Sequence, residues 1–211
     1  RHIHQYPELG WEEDKTISML MNEIEQVKIE STLDFEVHHR LGGFFIDVNI
    51  DPSLPRILFR ADLDALPIDE KTDLPFASKF PNRMHACGHD CHAAMLMGAF
   101  KALARGTLPL KSNLRLVFQR AEELGPTRSG GRTLVQEGVC QDISQVFALH
   151  VAATMDSGIF FHRSKEMMAN TSLIEIEVSC SGGHVMSPQL GANAIDIQAE
   201  ICLALRGIEK T

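Results

Sequence analysis

The stretch at residues 85–100, HACGHDCHAAMLMGAF, constrains this chain more than any other part of its sequence. Six side chains that can bind a metal or carry a proton occupy its first eight positions, and an apolar segment follows directly. A metal site needs such ligands held at a fixed spacing. Cys87 and His89 are two positions apart, so in an extended loop both side chains could point to one side. These two residues are therefore favoured as metal ligands, although their spacing matches no recognised zinc-finger pattern.

The apolar segment after this loop predicts a helix over residues 92–104. Its apolar positions recur at steps of three and four: Ala93, Leu96, Met97, Phe100 and Ala104. Asp90 is placed to act as the N-cap, because a carboxylate there can accept hydrogen bonds from the free N–H groups of the first turn. For His85 and His92 two alternatives stay open, a role in the site or a solvated loop position. Cys91 is more typical of a packing residue.

Short apolar runs and strict alternation predict the other elements of the chain. Strands are expected at residues 44–50, 56–64, 114–121, 145–151 and 158–163, and helices at residues 12–28 and 133–137. A proline-containing loop is expected at residues 67–83. Up to about residue 168 this pattern indicates an α/β layer with buried strands.

The pattern changes after residue 168. Residues 172–182, SLIEIEVSCSG, alternate strictly between apolar and polar positions, as in a strand with one solvated face. A helix is expected next, with one apolar stripe: Ala194, Ile197, Ile201, Leu205 and Ile208. One strand and one helix are too few to form an independent domain. We therefore predict two parts, residues 1–168 and residues 169–211, with the second part only the start of a two-layer α+β domain.

Polar side chains follow the predicted buried strands at the point where each strand ends. Asp62 and Asp64 end one strand, Glu122 and Glu123 follow another, and His150 lies near the end of a third. Taken singly, these residues are more typical of ion pairs, solvated surface acids or a hydrogen-bonded core histidine. Together they would gather at one rim of an α/β sheet, where such sheets present their functional loops. Their joint occurrence favours a metal site.

Composition excludes several other classes of function. The formal net charge is −8, whereas a nucleic-acid-binding surface needs clustered Lys and Arg, so no nucleic-acid partner is expected. No apolar stretch reaches 18 residues, so no membrane association through a spanning helix is expected. The five cysteines are an odd number without a disulfide-like spacing, and no secretory h-region is visible. These features predict a reduced, cytoplasmic setting.

Five motifs resemble the M20 metallopeptidase superfamily in their order and approximate spacing: IHQYPELGWEE, RADLDALPI, HACGHDCHAAMLMGAF, QRAEE and ALHV. They are most similar to its amidohydrolase branch, which contains aminoacylases, hippurate hydrolases and hydrolases of auxin–amino acid conjugates. A sixth segment, SCSGGHVMSP, resembles the Gly-Gly-His segment of the lid domain. The resemblance implies a zinc-peptidase-like catalytic domain, with helices around a mixed, largely parallel sheet, at residues 1–168. A lid or dimerisation domain would begin at residue 169, and both domains would be incomplete.

The resemblance also implies a set of metal ligands for two divalent ions, which could be Zn, Mn, Ni or Co. The ligands would be Cys87, which would bridge the two ions, with His89, Glu123 and His150. Asp62 and Asp90 would contact and orient ligands without binding metal. Arg60 stands where sister branches carry a ligand histidine. A further histidine ligand of the family would lie beyond Thr211.

For catalysis, the resemblance implies hydrolysis of the amide bond of a small N-acyl amino acid, such as an N-acyl-L-amino acid or hippurate. Glu122 would be the general base that activates water, and His184 would stabilise the oxyanion, often across a homodimer formed by the lid domain. The chain departs from the family at Arg120, where a proline is usual, and at Gln189, where a histidine is usual. Both departures bear on substrate preference.

Two alternatives to a metal-dependent hydrolase are open. Cys87 could act as a nucleophile paired with a histidine, but Glu122, Glu123 and His150 would then have no role. The chain could instead be a truncated, non-catalytic relative, since the expected ligand beyond Thr211 is absent from it.

Overall fold

The computed structural model of the chain describes residues 1–168, 174–187 and 191–208. The chain divides into two compact units, Arg1–Met155 and Asp156–Thr211. The domain boundary predicted from the sequence, between residues 168 and 169, borders a segment outside the described residues and stays a prediction. In the described part of the chain, no helix is both long enough and apolar enough to cross a bilayer.

The first unit is built on a five-stranded mixed sheet. In chain order the strands are β1 (Phe35–Arg40), β2 (Gly43–Val48), β3 (Arg56–Asp62), β4 (Asn113–Gln119) and β5 (Ile143–Ala148). Their order in the sheet is β1-β2-β4-β3-β5. Strand β3 runs parallel to both β4 and β5, whereas β2 runs antiparallel to both β1 and β4. This arrangement confirms the predicted α/β fold with a mixed sheet.

Five helices accompany the strands in the described residues. They are α1 (His2–Gln5), α2 (Asp14–Glu30), α3 (His89–Ala104), α4 (Gly130–Gln136) and α5 (Ala194–Ile208). Helices α2 and α3 place their apolar stripes in the main core, where Leu20 and Ile24 meet Leu96, Phe100 and the sheet. Phe44 stacks on Phe118 across β2 and β4, with ring centroids 4.7 Å apart. Because β3 runs parallel to both β4 and β5, these three strands end at the same edge of the sheet. Helix α3 packs against β3.

Helix α3 begins three residues earlier than the sequence predicts. Its N-cap is Gly88 in a left-handed conformation, with φ of 82°, and no side chain makes the cap hydrogen bond. The assignment of Asp90 as N-cap is therefore wrong. Asp90 already lies within the helix. Its carboxylate is directed toward His4, and the distance from Asp90 Oδ2 to His4 Nδ1 is 2.8 Å.

Several predicted strands differ from those observed. The third strand of the parallel set ends at Ala148 rather than at residue 151, and residues 158–163 form no strand. Residues 174–182 also form no strand, while residues 172–173 lie outside the described part of the chain. A strand needs a hydrogen-bonded neighbour, and the described residues of the second unit provide none. Helix α5 confirms the predicted helix, with its apolar stripe not buried.

Candidate metal centre

The ends of β3, β4 and β5 meet the N-terminus of α3 at one edge of the sheet. Asp62 closes β3, the pair Glu122–Glu123 follows β4, and His150 lies two residues beyond the end of β5. The prediction that His150 lies within a strand is therefore wrong, since β5 stops short of it. Potential ligand atoms lie within 4.8 Å of one another in three overlapping groups: Cys87, His89 and His150; His89, Glu122 and Glu123; and Asp62, His89 and His92. His89 belongs to all three groups.

His89 is fully buried, and its Nε2 nitrogen is directed toward the carboxylates of Asp62 and Glu123. Its Nδ1 lies 3.1 Å from Asp64 Oδ1, so the Nδ1–H donates to this carboxylate. Its Nε2 has no hydrogen-bond partner and lies 3.6 Å from Asp62 Oδ2 and 3.7 Å from Glu123 Oε1. A histidine that donates one N–H to a carboxylate and offers its other nitrogen is typical of metal ligands.

The electrostatics of this centre favour positive charge. Burial lowers the pKa of His89, but the hydrogen bond to Asp64 and the charges of Asp62 and Glu123 outweigh it, so the pKa is raised. A cluster of carboxylates that stabilises a buried imidazolium would stabilise a divalent cation in the same place.

Asp64 organises the centre, whereas sequence reasoning placed it at the rim of the sheet without giving it a role of its own. Its Oδ1 receives the His89 N–H, and its Oδ2 accepts a 2.9 Å hydrogen bond from the backbone N–H of Glu123. The side chain is buried and thus fixes two predicted ligands at once. The sequence signal was the spacing of Asp62 and Asp64, since residues two apart in an extended segment share a side.

Cys87 and His150 form the outer part of the centre. The Cys87 Sγ lies 3.3 Å from His150 Nε2, and His150 Nδ1–H donates to the carbonyl oxygen of Val151 at 2.7 Å. Gly88 allows this approach, because a Cβ there would lie 2.3 Å from Val151 Cγ2. Burial and the charge of Glu123 raise the pKa of the Cys87 thiol to about 12. In the metal-free centre the thiol is therefore protonated, and a bound metal would displace this proton.

His92 lies near the centre but is already fully bonded. Its Nδ1–H donates to Asp62 Oδ1 at 2.6 Å, and its Nε2 accepts the backbone N–H of Val151 at 3.0 Å. Neither nitrogen is free, so His92 braces Asp62 and the loop beyond β5 rather than binding metal. The open alternative of a solvated loop position is wrong for both His92 and His85, which are 3% and 4% exposed. His92 follows His89 by three residues on α3, which places both on one face.

Asp62 gives the metal-free fold a pH dependence. Burial acts to raise its pKa, but the His92 hydrogen bond and the charges of Arg60, His89 and His92 lower it from 3.8 to about 2. A carboxyl whose pKa is lower in the folded state stabilises the fold when ionised, above about pH 4, and loses this effect as pH falls through about 2.

We expect Asp62→Asn to reduce the free energy of unfolding of the metal-free protein by about 2 kcal/mol at pH 7. The difference from wild type should shrink between about pH 4 and pH 2. Urea unfolding at several pH values measures it, with exposed Asp34→Asn as the control. A difference that stays constant down to pH 2 would contradict this role.

Of the remaining predicted residues, Glu122 lies beside the centre and His184 lies in the second unit. Glu122 Oε2 is 3.9 Å from His89 Nε2 and its side chain is 40% exposed. Burial and the charges of Asp62 and Glu123 raise the pKa of Glu122 against the opposing effect of Arg60 and His89. His184 Nδ1 accepts the backbone N–H of Met186 at 3.2 Å. The role of His184 stays a prediction.

The residues that form this centre all lie within a segment that matches a known protein family. Residues 58–206 match the family described as Peptidase family M20/M25/M40. The chain belongs to peptidase family M20. The M20 chain is 35% identical to thermostable carboxypeptidase 1 of Saccharolobus solfataricus over 99% of its own length and 52% of that protein. It is 36% identical to N-acetyl-L-cysteine deacetylase of Bacillus subtilis over 99% of its own length and 48% of that protein.

Two solved structures share the fold. A putative aminohydrolase from methicillin-resistant Staphylococcus aureus aligns with a TM-score of 0.79 and 28% identity, over 99% of this chain and 54% of that one. The Bacillus subtilis YXEP protein, a dinuclear metal-binding peptidase of the M20 family, aligns with a TM-score of 0.62 and 34% identity, over 70% and 40% of the two chains. The M20 chain thus spans about half the length of the curated relatives that it matches.

Proposed function

We propose that the protein hydrolyses the amide bond of N-acyl amino acids in a reaction that depends on divalent metal ions. The observation that carries this proposal is the convergence of Cys87, His89, Glu123 and His150 at the end of three parallel strands. The names of the two relatives, a carboxypeptidase and an N-acetyl-L-cysteine deacetylase, support the substrate class. Both kinds of enzyme cleave an acyl group from the nitrogen of an amino acid.

The residues of the centre fit divalent metal ions, and we propose that a pair of ions binds there. His89 Nε2 and Glu123 Oε1 are buried atoms without hydrogen-bond partners, which is costly unless another group satisfies them. Asp62 Oδ2 is already paired with Arg60 Nη1 at 2.8 Å. A ligand set of thiolate, imidazole and carboxylate suits Zn, Mn, Ni or Co. We assign Cys87, His89, Glu123 and His150 as ligands. When bound, such ions polarise an amide carbonyl and make water more acidic.

We assign Glu122 as the residue that carries the proton of the reaction. It lies next to the ligand Glu123, and its raised pKa suits a group that takes up a proton and releases it again. Its carboxylate would accept a proton from the attacking water as the new C–O bond forms. It would then give this proton to the amine nitrogen as the C–N bond breaks, which yields a carboxylic acid and a free amino acid.

Two further roles belong to this proposal through the M20 resemblance. His184 would donate a hydrogen bond to the oxyanion, and the lid domain would form a homodimer. A preorganised donor of this kind is commonly worth about 3 kcal/mol.

The alternative of a Cys87 nucleophile has one geometric point in its favour, the 3.3 Å contact with His150. A reactive cysteine needs a lowered pKa, however, and burial beside Glu123 raises that of Cys87 to about 12. A thiol in this setting is suited to metal binding, in which the metal displaces the proton.

A panel of N-acyl amino acids tests the proposed function. We expect the protein, expressed with its full natural sequence, to release free amino acid from at least one substrate, to lose this activity with a chelator and to regain it with Mn, Zn, Co or Ni. Activity that survives chelation but is lost on thiol alkylation would favour the Cys87 nucleophile. A metal-loaded protein that cleaves no substrate of the panel would favour a non-catalytic role.

A further inference from the structure

We infer that Glu13 and Arg120 are positioning residues that hold the loop bearing Glu122 and Glu123 in place against the metal centre. Neither side chain belongs to the groups of ligand atoms described above. For Glu122 the inference rests on the proposed function, whereas for Glu123 it concerns metal binding alone.

The loop after β4 contains a strained residue immediately before the two glutamates. Ala121 has φ of 50°, in the left-handed region that residues other than glycine rarely occupy, and it is fully buried. Such a conformation costs about 1–2 kcal/mol and persists only where surrounding contacts hold it. The direction in which Glu122 and Glu123 leave the strand depends on this residue.

Glu13 provides the side-chain contact that holds Ala121, whose carbonyl oxygen also accepts the backbone N–H of Gly130 at 3.3 Å. Its side chain is 0% exposed, and its Oε1 accepts the backbone N–H of Ala121 at 2.7 Å. Its Oε2 accepts the Nε–H of Arg120 at 2.8 Å. Both oxygens accept hydrogen bonds, which favours the ionised carboxylate. Burial opposes this effect and raises the pKa of Glu13, so the carboxylate depends on Arg120 and the Ala121 N–H. A buried carboxylate of this kind depends on its partner, since removing one member of a buried pair leaves an uncompensated charge.

Arg120 connects the loop to the start of α2. Its Nη2 donates to the carbonyl oxygen of Trp11 at 2.8 Å and to Asp14 Oδ1 at 2.9 Å, and its backbone N–H donates to the carbonyl oxygen of Gly42 at 2.9 Å. The effect of Arg120 on substrate preference, implied by the proline usual at this position, stays a prediction. The polar contacts of the Arg120 side chain lie with Glu13 and the start of α2.

The loop is therefore held on two sides. Glu13 holds the backbone at Ala121, and Asp64 holds it at Glu123 through the 2.9 Å hydrogen bond already described. Between these points lies Glu122. A displacement of about 1 Å at a reacting group can cost about a hundredfold in rate, so the accuracy of this support affects catalysis.

The variant Glu13→Gln tests the inference. An amide has one acceptor oxygen, so it cannot accept from both Ala121 N–H and Arg120 Nε–H without turning its own N–H₂ toward a donor. In the protein of full natural sequence we expect kcat to fall about ten- to a hundredfold with a smaller change in KM. The acidic limb of the kcat/KM pH profile should shift, because the surroundings of Glu122 change. The visible spectrum of the cobalt-loaded protein should also change, since Glu123 is a ligand.

Glu12→Gln is the matched control. Glu12 is the preceding acid in the chain, is more than half exposed and pairs with Arg83 at 2.8 Å, away from the loop. This variant should keep the wild-type kcat, pH profile and cobalt spectrum. If Glu13→Gln does not fold, Arg120→Lys replaces it, because lysine keeps a positive charge beside Glu13 but cannot reproduce the separate Nε and Nη2 hydrogen bonds to Glu13 and Trp11. This variant should show the same changes to a smaller extent.

The spectrum separates the inference from the proposed function. If the wild type hydrolyses no N-acyl amino acid, an altered cobalt spectrum in the Glu13 or Arg120 variant, with an unaltered one in Glu12→Gln, would still support the positioning role. A folded variant whose spectrum, kcat and pH profile all match those of Glu12→Gln would overturn it, whatever its thermal stability.

Discussion

Replacing Glu122 by glutamine is expected to reduce kcat about 10²–10⁴-fold while the metal content stays that of the wild type. The amide keeps the size of the side chain but cannot take up a proton. Because Glu122 is 40% exposed and lies beside the ligands, its replacement should leave the fold and the other contacts of the centre intact. Steady-state kinetics and elemental analysis of the same preparation measure both quantities.

Glu123→Gln supplies the matched comparison for the Glu122 variant. Glu123 carries the buried Oε1 without a hydrogen-bond partner and is assigned as a ligand, so this variant should lose metal as well as activity. A Glu122→Gln protein that retains full activity would refute the assignment of the base. If both variants lost metal equally, the distinction between base and ligand at these adjacent positions would be wrong.

Replacing Cys87 by alanine is expected to weaken metal binding strongly. Loss of a residue that only orients a ligand typically weakens binding about 10–100-fold, and the loss of Cys87 should exceed this. The reason is that the resemblance to family M20 implies that Cys87 would bridge two ions, so its loss would affect each of them. Activity should fall with the metal content and should be partly restored by high metal concentrations. Isothermal titration with a divalent metal, followed by assay at each metal concentration, measures this.

Cys91→Ala is the control for Cys87→Ala. Cys91 lies on α3 in the same motif but is exposed. We expect it to bind metal as the wild type does. A Cys87→Ala protein with wild-type metal affinity would remove Cys87 from the ligand set, and wild-type affinity with no activity would revive the nucleophile hypothesis.

The sequence predicted the position of the centre because that position follows from topology. Polar residues after three predicted strands had to meet if those strands were parallel, and β3 runs parallel to both β4 and β5. The prediction that all three strands are buried is wrong for β5, most of which is exposed. The specific string around Cys87 and His89 supplied the chemistry. The family that these motifs resemble, M20, is also the family to which comparison assigns the chain.

What the sequence did not predict depends on contacts between distant segments. The bonds of Asp64 to His89 and Glu123, and those of His92 to Asp62 and Val151, depend on which atoms the fold brings within hydrogen-bond distance. The cap assigned to Asp90 failed because Gly88 starts the helix two residues earlier.

Two other differences concern strands. Strand β1 was missed because its solvated edge carries His38, His39 and Arg40, which hide the alternation. Alternation alone was also insufficient at residues 174–182, where the described residues offer no partner strand.

Titration of the metal-free protein of full natural sequence with cobalt tests the central claim most directly. If Cys87, His89, Glu123 and His150 form the metal centre, two ions should bind per protein. A thiolate-to-cobalt charge-transfer absorption should grow as they bind, with release of the Cys87 proton. Binding without this absorption, or an absorption that persists in Cys87→Ala, would contradict the assignment of the centre.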